Sequence, residues 1–412
     1  MKSNANFARI RLYADLYIAI FVFAASFALY LRTMPPTVLD GDSGEYQYMA
    51  YILGVPHSTG YPLYILLGKL FTLIPAGDVA YRINLFSVVF AALSAPLIFW
   101  TARRLMPRTP AFLATLIFAV TPSMWGSAIQ AKTYALHLFL GVLTVLLALR
   151  WHQDGNRREF YWFALVCGLD LTNHIIIRFI APALLLLLWL NRARLDRAML
   201  VRGILLGILP LFLYAYIPIR ANQLIAQQDP ANKLLYGRED AMVKGTVTAY
   251  YNNSPEGVFG LITGLDNKYK LDVKSPLDQM NRVELSATLL IQQFGPIGLV
   301  LSLVGAWASF RRDRRIFIFL FAVVACIGLV SLYLKGISTV YYFSLTYFVL
   351  ALWIGLGIDV LLRWVRTVQR KNTSRALYLL GSESALTLVL LLLPTGAVFV
   401  NYSRLDESNN YA

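Results

Sequence analysis

The amino-acid sequence predicts an all-α polytopic membrane protein, a bundle of about eleven transmembrane helices. Three observations carry that prediction. The chain has 412 residues, 58% of them hydrophobic and only 14% charged, where a soluble protein carries about a quarter charged residues. Apolar runs of roughly 15–25 residues recur from end to end, the length that crosses a hydrocarbon core about 30 Å thick. The net charge of +15 is gathered into short segments between alternate runs, as the positive-inside rule requires. This placement makes the basic excess a sign of membrane topology and not of a nucleic-acid partner.

The first run lies at about 14–34. Its apolar part, Leu16 to Leu31, is followed by Arg32 and "MPP" and not by a small-residue cleavage site, so it reads as a retained span. Six more runs follow at about 84–102, 111–124, 134–150, 160–173, 175–191 and 203–219. Four others come after a long polar interval, at about 295–310, 316–334, 343–362 and 383–401. With the N-terminus placed in the cytoplasm, every short cytoplasmic loop is basic. Arg103, Arg104 and Arg108 fill one such loop, and Arg150, Arg157 and Arg158 the next. Arg192, Arg194, Arg197 and Arg202 follow, then Arg311, Arg312, Arg314 and Arg315. The same pattern decides the stretch "YPLYILLGKLFTLIP" (Tyr61–Pro75), which is apolar but short and contains Lys69. If it crossed, every later basic loop would face outward, so it is expected to lie along the outer surface. Cys167 and Cys326 sit inside apolar runs and offer neither a disulfide framework nor metal-ligand spacing.

Two long external segments result, about 35–83 and about 220–290, within a single transmembrane domain over residues 1–412. The first opens with "LDGDSGEYQYMAYILGVPHSTGYPLY", which holds Asp40, Asp42, Glu45 and His57 among Gly, Pro and Tyr. "DSGE" has two compatible readings. An Asp N-cap with Glu three residues later is a capping box. A carboxylate on the first turn of a helix at the water–lipid boundary is also a candidate general base.

Polar residues recur at the outer ends of later spans. Lys132 and Tyr134 lie in "AIQAKTYALH", and Asp170, Asn173, His174 and Arg178 lie in "LDLTNHIIIRF". Arg220 ends the seventh span in "YIPIRA", and Lys335 lies in "YLKGISTVYYFS". Any one cation at a helix end can simply snorkel to the interface. Several at one mouth, facing an acid-rich loop, suggest a site for an anionic headgroup, with arginine the preferred partner of a phosphate.

In order along the chain, "DSGEYQ…LGVPHSTGYPLYILLGKLF", "RINLFSVVFAAL", "TPSMWGSAIQAKTYAL", "GLDLTNH" and "YIPIRA" resemble the membrane family related to protein O-mannosyltransferases, of the GT-C class. The resemblance covers roughly Pro35 to Arg220 well and the later spans loosely. It implies a GT-C type bundle and a sugar donor carried on a polyprenyl monophosphate. Transfer would go to a hydroxyl acceptor, on protein or on another glycan, at the extracytoplasmic face. It also implies catalytic roles for Asp42 and Glu45 and places His57 and Arg220 on the family's "GVxH" and "PxR" positions. Asp40, His57, Tyr61, Lys132, Tyr134, Asn173, His174, Arg178 and Arg220 are the candidate substrate-binding residues. Two positions depart from the family. Lys132 stands where an acid is usual, which counts against a metal role there, and "HSTGYP" replaces "HPPGYP". The eukaryotic relatives' extra C-terminal repeat region has no counterpart in this sequence.

The expected reaction has Asp42 taking the acceptor's proton as its oxygen attacks the sugar C1, with Arg220 and Arg178 or His174 on the donor phosphate. The sequence fixes no cofactor; "DGDSGE" could hold a divalent cation through oxygen ligands, but no second acidic cluster supports one. A transporter or flippase of a lipid-linked glycan, with the same groove and no bond cleavage, is the alternative from another class.

Overall fold

The computed structural model describes residues 2–227, 254–265, 275–332, 339–371 and 383–411, so Lys335 and much of the 220–290 segment lie outside the described residues. Those residues are almost wholly helical, with no strand among them. The chain opens with α1 (Lys2–Thr33), then α2 (Asp42–Ile52), α3 (Pro62–Phe71) and α4 (Val79–Arg103). Next come α5 (Arg108–Ala119), α6 (Pro122–Ile129), α7 (Tyr134–Asp154), α8 (Arg157–Leu171), α9 (Ile176–Phe179) and α10 (Ala181–Leu190). Then α11 (Arg197–Ile208) runs through a 3₁₀ segment, Leu209–Ala215, into α12 (Tyr216–Gln227). The rest of the chain supplies α13 (Pro255–Thr263), α14 (Pro276–Arg312), α15 (Arg314–Ser331), α16 (Thr339–Tyr342), α17 (Ser344–Lys371) and α18 (Glu383–Leu405).

Each apolar run became helix, but not all reach the length of a span. Eight helices among the described residues are long and apolar enough to cross a membrane, or nine if α5 and α6 count as one broken span. Pro122 at the first position of α6 and the Thr121 cap on the Met124 amide bend that pair by 58°. Helix α8, with 15 residues, is about 22 Å long, and α10, with 10, is about 15 Å, both short of the hydrocarbon thickness. The expected count of eleven therefore rests on two helices that are too short alone. Helix α14 starts at Pro276, so the end of the expected second external loop is helical up to a break at Gly295 (φ 63°) and Pro296.

Helices α7 and α17 form the buried centre, while α1, α11, α14 and α18 lie outside them. The outer helices leave large apolar side chains bare, with Phe212, Leu303 and Phe399 more than 70% exposed, as a surface facing lipid does. Close packing in the interior uses small residues. A Cβ on Gly305 of α14 would fall 1.6 Å from the Trp353 carbonyl oxygen, and one on Gly357 of α17 2.1 Å from that of Leu301, so the two backbones touch.

The two ends of the bundle differ. At one end Arg103 and Arg108 pair with Asp15, Arg104 with Asp154, and Arg312 and Arg363 with Asp359. The other end carries the segment from Thr33 to Asp78. Helices α2 and α3 form a hairpin there, packed on α4 through Tyr64 and Phe71, each edge-on to Phe86 at 4.9 Å. The 21 residues of α7 separate the two ends by about 30 Å.

Candidate active site

A small polar cavity, about 50 Å³, lies at the end of the bundle opposite the arginines. Asp42, Tyr46, His57 and Tyr61 line it from the first loop, and Lys132, Thr133 and Tyr134 from the α6–α7 turn. His174, just after α8, and Tyr342, at the end of α16, complete the lining. A larger cavity of about 140 Å³ at the arginine end is lined by Arg104, Gln153, Arg312 and Asp313. Their charges are already paired there, Arg104 with Asp154 and Asp313 with His152, so the smaller cavity is the chemical candidate.

The loop bearing Asp42 is held from below. Gln47 accepts from the Leu39 amide (3.2 Å) and donates to Asn84 Oδ1 (2.9 Å), and Asn84 donates to the carbonyls of Pro35 and Thr37. These buried amides explain the Gln of "DSGEYQ" and the Asn of "RINLFS". They are fully used, and a half-satisfied amide there would be costly. Gly41, at φ 64°, is the N-cap of α2, and no side chain caps that helix. The capping-box reading of "DSGE" is thereby corrected: Asp42 is the first helical residue and Glu45 turns elsewhere. Gly44 is dictated by close approach, since a Cβ would lie 2.5 Å from the Leu39 carbonyl oxygen. Asp42 is exposed at this helix N-terminus, where the free amides and the helix dipole favour a carboxylate.

Glu45 binds His57. One oxygen accepts from the His57 amide at 2.8 Å, and the other lies 2.6 Å from Nδ1. This fixes the ring, with Nε2 facing the hydroxyls of Tyr61 (3.4 Å) and Tyr46 (3.5 Å). The Tyr61 hydroxyl donates to the Ser58 carbonyl at 2.6 Å. Burial pushes the phenol pKa values of Tyr46 and Tyr61 well above 10, so both stay neutral donors.

On the other wall, the Ile176 amide donates to His174 Nδ1 at 3.2 Å. A neutral His174 ring therefore carries its proton on Nε2. Burial lowers the Lys132 pKa and the Asp42 charge raises it again, with a net shift below 10.5. The ammonium lies over the Tyr341 ring, 5.8 Å from its centre. Among the described residues neither Asp42 nor Lys132 makes an ion pair or a side-chain hydrogen bond.

The remaining candidates fall away from the cavity. Asp40 is exposed on the loop. Asn173 is buried and donates to the Thr133 carbonyl (3.4 Å), holding the turn that carries Lys132. Arg178 donates to the carbonyls of Ile262 and Thr263 at the end of α13. Arg220 donates to those of Ile52 and Leu53 at the end of α2, and to Gln223. The structure thus brings Asp42, His57, Tyr61, Lys132, Tyr134 and His174 together around the cavity, with Glu45 behind His57. It adds Tyr46, Thr133 and Tyr342. Tyr46 was signalled, four residues beyond Asp42 on one helix face; Tyr342 carried no such local signal. A buried His137–Asp170 pair, at 2.9 Å, was also missed and ties α7 to α8.

This architecture is the GT-C fold of membrane glycosyltransferases. The oligosaccharyltransferase AglB of Archaeoglobus fulgidus, in complex with an inhibitory peptide and a dolichol-phosphate, matches with a TM-score of 0.60 at 15% identity, over 97% of this chain and 56% of that one. The apo form matches at 0.61 and 14%, over 96% and 56%.

Within that class the chain is similar to proteins named as protein O-mannosyl-transferases. Residues 42–197 match the family model for the N-terminal domain of protein O-mannosyl-transferase TMEM260. The mouse protein of that name is 36% identical over 214 residues, 49% of this chain and 30% of the mouse one. The Dictyostelium discoideum protein is 24% identical over 434 residues, 95% of this chain and 51% of its own length. The chain thus spans about half or less of these curated relatives.

Proposed function

We propose that the chain is a membrane glycosyltransferase that moves a sugar from a polyprenyl-monophosphate donor to a hydroxyl acceptor on the extracytoplasmic face, the acceptor being a protein Ser or Thr. One observation carries the reading. Asp42, a carboxylate with no ion pair among the described residues, shares one small cavity with Lys132 and His174, so a base and an anion-holding pair face the same few ångströms of space. The names of the relatives as O-mannosyltransferases support a hexose such as mannose, and the dolichol-phosphate bound by the AglB neighbour supports a lipid-phosphate donor. The positive-inside rule supports a basic end facing the cytoplasm and a cavity facing out.

In this mechanism Asp42 accepts the proton of the acceptor hydroxyl while its oxygen bonds to the sugar C1. The bond from C1 to the phosphate oxygen breaks, polyprenyl phosphate leaves with that electron pair, and a single displacement inverts the anomeric centre. A phosphate monoester leaves without a separate acid; fixed positive and N–H groups stabilise its growing charge. Glu45 and His57 act as a positioning pair beside Asp42, with the phenols of Tyr46 and Tyr61 closing the wall.

Asp42, Glu45 and His57 can each offer one ligand atom, all within 4.8 Å of one another. This set does not fit a divalent cation well. Both Glu45 oxygens already accept hydrogens from His57, and an ammonium lines the same cavity. No step is therefore routed through a metal.

The test is transfer from a polyprenyl-phosphate sugar labelled in the sugar, with the purified chain and a Ser/Thr-containing acceptor. The reading expects labelled acceptor and free polyprenyl phosphate in equal amounts. Movement of intact donor across a vesicle membrane without cleavage would instead establish a transporter and overturn it.

A further inference from the structure

We infer that Lys132 is the resident cation of this cavity: its ammonium, with the Nε2–H of His174, holds the phosphate of the lipid-linked ligand, and anion binding here needs no divalent ion. The inference rests on the donor class proposed above and deepens it.

Four observations lead to it. First, the arginines are committed elsewhere. Arg178 and Arg220 each bridge two backbone carbonyls outside the cavity, whereas Lys132 lines it and makes no ion pair among the described residues. Second, the lining is bipolar. Asp42, Glu45 and His57 form one cluster, while His174, Tyr134 and Tyr342 pack with ring centres 5.3–6.0 Å apart beside Lys132. Tyr61 stands between them, 5.4 Å from His57 and 5.9 Å from His174. An acidic wall and a donor wall suit a reaction that takes a proton on one side and leaves an anion on the other.

Third, the donor wall is built. The Lys132 amide donates to the Gln130 carbonyl at 2.7 Å, and Asn173 grips the Thr133 carbonyl. His174 is fixed by the Ile176 amide in the tautomer that presents Nε2–H. Fourth, the size fits. A cavity of about 50 Å³ has room for several waters at about 10–15 Å³ each, enough for a phosphate group. A dication in the same space would meet the ammonium as a like charge in a poorly solvated site. The lowered Lys132 pKa is consistent with a partly desolvated cation that gains from an anionic ligand.

The experiment titrates the purified full chain in detergent with undecaprenyl phosphate, in excess EDTA and again in millimolar Mg²⁺. Undecaprenol, which lacks the phosphate, controls for the tail. Wild-type affinity for the phosphate is expected to be the same in EDTA and in Mg²⁺. Lys132→Met should weaken it by about 10- to 100-fold, the worth of one charge-assisted hydrogen bond, and leave undecaprenol binding unchanged. Lys132→Arg, which keeps the charge, should retain most of the affinity and shows that the turn still folds. Loss of wild-type binding in EDTA overturns the inference, as does a Lys132→Met protein that binds the phosphate like wild type. The role of Asp42 fails separately: full transfer by Asp42→Asn would remove the base and leave these affinities untouched.

Discussion

The two ends of the bundle use charge in opposite ways. At the arginine end every acid that anchors a helix is matched, with Asp15 between Arg103 and Arg108, and Asp359 between Arg312 and Arg363. At the other end Asp42 and Lys132 line one cavity without an ion pair or side-chain hydrogen bond among the described residues. Paired charges at a helix end fix packing and orientation. Unpaired ones, held by a scaffold of buried amides, are available to a ligand. The contrast teaches that charge density alone does not locate a site; what matters is which charges the fold leaves unmatched.

The largest effect that can break this comparison is at Asp42. Asp42→Asn should lower transfer by about 10²–10⁴-fold, the usual cost of losing a general base, with the melting temperature and donor affinity unchanged. Next is the pair behind it. Glu45→Gln removes the charge that orients His57 and should cost about 10- to 100-fold in transfer, and His57→Gln about the same, because the two act as one unit. A double substitution that costs the sum of both would show that they work independently.

Donor affinity against pH sharpens the comparison further. A phosphate monoester gains its second charge near pH ~6, so binding should strengthen through that point. Lys132 is charged below its folded pKa, which burial holds under 10.5 despite the Asp42 charge. Binding should therefore fall on the alkaline side at a lower pH than an exposed lysine would give. In Lys132→Arg that alkaline limb should disappear.

Arg220→Gln is expected to act on stability, since its guanidinium ties the carbonyls of Ile52 and Leu53. The loss should be about 1.5–3 kcal/mol, read by thermal unfolding, with little change in donor affinity. A fall in affinity with normal stability would return Arg220 to the phosphate. The smallest effect belongs to the arginine end: Arg104→Ala breaks a half-exposed pair with Asp154 and should cost under about 1 kcal/mol, with transfer unaffected.

Much of the fold was legible because an apolar run long enough to span a bilayer leaves few alternatives to a helix. The runs at 160–173 and 175–191 were read as spans on apolar character, but α8 has only 15 residues and the second run is broken at Ile180 into α9 and α10. Asp42, His57, Lys132 and His174 were legible as polar residues at the mouth of a greasy chain. The places of Arg178 and Arg220 were not. Arginine was expected at the phosphate on chemical type, but its planar fork also suits two backbone carbonyls, which is where Arg178 and Arg220 donate. Tyr342 joins the cavity from the far part of the chain, and no local spacing could place it beside Asp42. Gln47 and Asn84 stand in quoted motifs, yet their meeting at 2.9 Å depends on how α2 lies on α4.

Single-turnover transfer from a labelled polyprenyl-phosphate sugar, comparing wild type with Asp42→Asn at saturating donor, tests Asp42 as the base most directly. The wild type should release one polyprenyl phosphate for each labelled hydroxyl, while the Asn variant binds the donor equally and leaves it intact. Equal turnover by both proteins would contradict the assignment of Asp42 as the base.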